Sequence, residues 1–78
     1  MEYVEFKPIE QKNNKFIINE QVMSSQFNKN LKRVLDFYME DYKIEETKIF
    51  INSRLWKDKD LMWNYTNKAK NKEWLKTH

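Results

Sequence analysis

Seventy-eight residues, 40% of them hydrophobic and 35% charged, make one small domain and exclude a two-domain enzyme. Fifteen Lys and Arg against twelve Asp and Glu leave a formal charge of +3, an imbalance too mild to mark a nucleic-acid binder by itself. The absence of Cys excludes a disulfide framework, a thiolate metal site and a cysteine nucleophile, so packing and hydrogen bonds must hold the fold.

Five Phe, four Tyr and three Trp make the chain 15% aromatic, a composition that disordered segments of similar charge lack. The chain therefore reads as folded. No apolar run approaches the ~18 residues a membrane span needs, and the start Met1-Glu2-Tyr3-Val4-Glu5 has neither the basic nor the apolar region of a secretion signal, so the expected address is the cytoplasm. Abundant Lys, Asn and Ile, with only two Arg, are the usage of an AT-rich coding sequence and fit a low-GC bacterium, its phage or a mobile element.

In chain order, the first expected element is a β-hairpin over residues 3–22. Its arms are residues 3–9 and 16–22, both rich in β-branched and aromatic side chains, and Asn13-Asn14 supplies the turn because Asn tolerates positive φ. Pro8 has no N–H to give a ladder, so its strand must lie on an edge or be interrupted there. An amphipathic helix follows over about 26–43. Phe27, Leu31, Val34, Leu35, Tyr38, Met39 and Tyr42 form one apolar stripe, Ser24 or Ser25 is the N-cap, and Lys29, Lys32, Arg33, Asp36 and Glu40 lie opposite. Residues 45–76 read as a helical hairpin. Its first helix spans about 45–56, with Glu45 and Glu46 at its start and Ile51 and Leu55 as an apolar pair; a short strand at 48–52 is the competing assignment. Asp58 caps the second helix, about 59–75, striped by Leu61, Met62, Tyr65 and Ala69. The fold class is thus α+β, a hairpin packed on two or three helices in a single domain 1–78.

Chemistry has few carriers here. The single His78 is terminal and is expected to be mobile and solvated, and the clustered carboxylates Glu40-Asp41, Glu45-Glu46 and Asp58 with Asp60 are explained by helix ends and solubility. Phosphate-binding loops need glycines, and the chain has none. Neither an enzyme nor a cofactor or metal site is expected.

Binding surfaces have more support. Three Trp exceed what so small a core easily encloses, and Trp is the residue type most enriched in interface hot spots, so Trp56, Trp63 and Trp74 are the candidate protein-binding residues. The plain alternative is that the same rings close the core against the hairpin. Lys68, Lys70, Lys72 and Lys76 against the single Glu73 carry essentially all the net charge and, beside Trp63 and Trp74, form a candidate sequence-tolerant nucleic-acid interface; their plain alternative is the solvated side of a helix. A hairpin edge can also accept a strand from a partner or from a second copy.

Residues 51–66, Ile-Asn-Ser-Arg-Leu-Trp-Lys-Asp-Lys-Asp-Leu-Met-Trp-Asn-Tyr-Thr, resemble the IDEAL domain of Firmicutes. In that likeness Ile51 and Leu55 match the first helix, Asp58 the acid that opens the second, and Met62 and Tyr65 its two apolar positions; Asn52, Ser53 and Arg54 depart from the family's Asp, Glu and Ala. The resemblance covers about a fifth of the chain and implies a helical interaction module of small regulatory proteins. The resulting expectation is a non-enzymatic module that binds a partner protein and regulates or inhibits it. A nucleic-acid-binding protein is the first alternative, and a homo-oligomeric scaffold joined through the hairpin edge or the Trp face is the second.

Overall fold

The computed structural model describes residues 2–78 and is an α+β fold. Two antiparallel units lie in it. A three-stranded sheet has the order β1 (Tyr3–Glu5), β5 (Lys48–Asn52), β4 (Tyr42–Glu45), and a separate hairpin joins β2 (Ile9–Lys12) to β3 (Lys15–Ile18). The helices are α1 (Ser25–Phe37), α2 (Ser53–Lys57), α3 (Lys59–Lys70) and α4 (Lys72–Thr77). No described helix is long and apolar enough to cross a membrane.

The N-terminal hairpin is shorter than its sequence implies. Asn13 and Asn14 take φ of 53° and 63° and make a two-residue turn, so pairing starts immediately at Lys12 and Lys15 and runs to Ile9 and Ile18. Pro8 ends the regular ladder, its carbonyl still accepting the Asn19 N–H at 2.9 Å. Residues 3–5, expected in the same hairpin, pair instead with β5, in the register Tyr3 to Asn52 and Glu5 to Phe50. Residues 20–22, expected as strand, form a 3-10 turn that Asn19 caps.

The second correction concerns residues 45–56. Lys48–Asn52 is a strand, because Ile49 and Ile51 alternate inward to burial while Lys48 points to solvent, and β-branched residues suit that pleat. Glu46, at φ 57°, turns the chain between β4 and β5. Only Ser53–Lys57 is helical, and the Asn52 side chain accepts the Arg54 N–H at its start.

Two helix starts follow the sequence. Ser24 Oγ accepts the Phe27 N–H at 3.0 Å, and Asp58 Oδ1 accepts the Leu61 N–H at 3.2 Å. The helix ends do not. The expected helix 26–43 stops at Phe37, and the expected helix 59–75 breaks at Asn71, whose own side chain accepts the N–H groups of Glu73 and Trp74 and starts α4.

Helices α1 and α3 pack together, β5 contacts α1, the α2 segment contacts both β5 and α3, and β2 packs against α3. Phe27, Leu31, Val34 and Leu35 of α1 meet Met62, Tyr65 and Ala69 of α3, and Phe6, Ile9, Ile49, Ile51 and Leu55 complete the core. One polar side chain is enclosed in it. Pairing of Pro8 with Asn19 leaves the neighbouring Ile9 N–H pointing away from β3, where it would be buried without a partner. The hydroxyl of Thr66, 0% exposed, accepts that N–H at 3.1 Å and donates to the Met62 carbonyl at 2.8 Å, fastening the hairpin to α3. Thr66→Val keeps the shape and orphans the Ile9 N–H, so it lowers stability by about 1–3 kcal/mol in urea unfolding, whereas Thr66→Ser, which keeps the hydroxyl, retains more of it.

Candidate protein-binding face

The end of α1 is a Schellman turn made without glycine. The Met39 N–H donates to the Asp36 carbonyl at 3.1 Å and the Glu40 N–H to the Leu35 carbonyl at 2.9 Å, which closes the helix and requires a left-handed residue between them. Met39 holds that position at φ 56°. It is 88% exposed, with Phe37 at 47% and Tyr38 at 40% beside it. Three consecutive large apolar side chains are therefore exposed to solvent, and the last of them, Met39, sits in a backbone conformation that most residues avoid.

The break at Asn71 brings a second element to this point. It turns α4 so that Trp74 packs back on the end of α1, edge to face with Phe37 at 5.4 Å between ring centroids. Tyr65, Tyr38, Trp74 and His78 stack in succession at 5.2, 6.2 and 4.5 Å, a ladder of rings running from the core to the surface. His78, expected to be mobile, is exposed and holds this stack, also meeting Phe37 at 5.1 Å. At the buried end the Tyr65 hydroxyl donates to the Glu40 carboxylate. Burial and that carboxylate push the phenol's pKa far above its ordinary value of 10.0. Lys68 Nζ sits 5.5 Å from the centre of the Tyr38 ring.

The other tryptophans lie elsewhere. All three are partly buried and packed against the core. Trp56 carries the Lys59 ammonium over its ring at 3.5 Å, and burial lowers that lysine's pKa. Trp63 meets Phe16 of β3 edge to face at 6.1 Å and closes the hairpin on α3. No described ring contact joins either of them to Trp74, so the three do not form one aromatic cluster. Phe37 carried no signal of its own in the sequence, because only the position of the helix stop exposes it.

The basic residues are likewise divided. Lys70 is paired with Glu10, whose pKa that lysine and the Asn19 amide hold below the usual carboxylate value, and Lys68 donates to Asn64. Lys72 and Lys76 line a shallow groove of about 330 Å³ between α1 and α4, together with Gln26, Asn30, Arg33 and Leu75. The four lysines thus do not present one continuous phosphate-contacting row.

Residues of the IDEAL resemblance fall on two kinds of element: Ile51 is in β5 and Leu55 in α2, while Asp58 caps α3 and Met62 and Tyr65 are buried on it. No family model, no curated protein and no solved structure matches the chain.

Met39→Gly removes the steric cost of the left-handed cap, so it raises unfolding stability by about 1 kcal/mol while deleting the most exposed apolar side chain. For Tyr65 the folded-state pKa is raised, so its contribution is full below a pH of about 10 and is lost as pH rises beyond it. Urea midpoints measured from about pH 8 to 11 therefore fall at the alkaline end, and Tyr65→Phe makes that fall shallower.

Proposed function

We propose that this chain is a small protein-binding module that regulates or inhibits its partner without catalysing a reaction. The observation that carries the reading is the exposed triplet Phe37-Tyr38-Met39, backed by Tyr65, Trp74 and His78. Rings locked by their neighbours lose little side-chain entropy on docking, and a thioether adapts to irregular surfaces, which is the composition of an interface anchor. Trp74 belongs to this anchor, whereas Trp56 and Trp63 serve as packing residues that a partner reaches only at their exposed edges.

The resemblance to the IDEAL domain supports the same class of function, since those domains are interaction modules of regulatory proteins. The Lys-, Asn- and Ile-rich composition fits a low-GC bacterium, its phage or a mobile element, and the proposed place of action is the cytoplasm. Nucleic-acid binding through Lys68, Lys70, Lys72 and Lys76 is the weaker reading, because Lys70 is neutralised by Glu10 and Lys68 is held at Asn64 and Tyr38.

Affinity capture from a low-GC bacterial lysate, with and without nuclease, tests the proposal. A dominant protein partner is expected to survive nuclease, and Phe37→Ala with Met39→Ala is expected to weaken its capture at least tenfold, while Trp56→Ala leaves it within about threefold. Capture that disappears with nuclease, or that ignores the double variant, overturns the reading.

A further inference from the structure

The groove between α1 and α4 lies on the same two helices that carry Phe37 and Trp74 of the aromatic face. Gln26, Asn30, Arg33 and Phe37 recur along α1 at intervals of four, three and four, so they share one side of that helix. Lys72, Leu75 and Lys76 form the facing wall. The wall is fastened: Arg33 Nη2 donates to the Leu75 carbonyl at 2.6 Å, and the Asn30 amide donates to the Ala69 carbonyl at 3.1 Å. Three cations line this groove and no carboxylate does.

Three basic side chains form ion pairs among the described residues, and none of the three lines the groove. Lys7 pairs with Glu5 and Glu20, Lys32 with Asp36, and Lys70 with Glu10. Arg33, Lys72 and Lys76 have no acidic partner among the described residues, and residues 64–78, which supply two of them, hold the excess positive charge of the chain. Arg33 spends one N–H on Leu75 and so keeps donors for a carboxylate, held in place by the bond it already makes. The apolar contribution within the groove comes from Leu75, and Phe37, outside the lining, follows Arg33 by one turn on the same side of α1.

We infer that this groove docks an acidic amphipathic helix of the partner protein, its carboxylates on Arg33, Lys72 and Lys76 and its apolar side on Leu75, Phe37 and Trp74. The inference rests on the protein-binding reading and names the partner's chemistry. From Gln26 to Phe37 the wall is about 16 Å long, which is three turns of a docked helix. Acidic residues three and four apart, with a large aliphatic residue at the Phe37 end, satisfy both the charges and the apolar floor.

The test is a titration of the intact chain, followed by amide NMR, with three probes: a 14-residue amphipathic peptide of Glu and Leu, the same peptide with Lys for every Glu, and a 20-nucleotide oligothymidine. Saturable binding of the Glu peptide is expected, with shifts at Arg33, Phe37, Lys72, Leu75 and Lys76. Lys72→Ala with Lys76→Ala, both at exposed sites, is expected to weaken it about tenfold, and the Lys peptide is expected not to compete. Equal binding of both peptides, or shifts confined to residues 37–39, overturns the acidic-helix assignment and leaves the protein-binding reading standing. Absence of Glu-peptide binding also overturns the assignment. Tighter binding of oligothymidine at the same residues overturns both.

Discussion

Every reversal in this chain is made without glycine, and four of the described residues take the left-handed conformation in its place: Asn13, Asn14, Met39 and Glu46. For Asn the cost is small, since its short amide can bond locally; for Met and Glu it is of the order of 1–2 kcal/mol each. These positions fix the rest. Asn13-Asn14 sets the hairpin register, Glu46 joins β4 to β5, and Met39 ends α1 where Phe37 and Tyr38 emerge. Strain of this kind persists only where the surroundings over-determine it, and at Met39 they do, through the two bonds of the helix cap.

Two of those reversals, the hairpin turn and the end of α1, are tied together by α3. Its Thr66 takes the stray N–H of the hairpin, its Met62 and Ala69 meet α1, and its Tyr65 passes from the core into the ring ladder. One helix therefore contributes both to the core and to the face that the proposal assigns to binding. The uncommon feature is Tyr65, whose hydroxyl anchors Glu40 in the same turn that Met39 strains.

Local chemistry was legible in the amino-acid order. Ser24 and Asp58 as caps, Asn13-Asn14 as a turn and Pro8 as an interruption all follow from what those side chains can or cannot bond within a few residues. The partner of β1 was not legible, because Tyr3 and Asn52 are 49 positions apart and no local preference selects that pairing. The apolar stripe runs on through Tyr38, Met39 and Tyr42 and predicts a longer helix, and only the tertiary fold shows the left-handed Met39 that ends it. Asn71 has the side chain of an N-cap, yet the lysines around it suit an unbroken helix equally well. The candidate face is hidden by the same two events, since it exists only where α1 stops and α4 turns back.

The turn at Asn71 has a dynamic consequence. Helix α4 is six residues long and buries no residue fully, so only part-buried side chains hold it to the rest of the fold. Yet it supplies Trp74 and Leu75 and stands beside His78. The face is therefore present in proportion to the time α4 spends docked, and any partner that needs it sees an apparent affinity scaled by that fraction. Slow amide exchange of the α4 backbone, rather than the stability of the core, becomes the quantity that reports how much of the population is ready to bind.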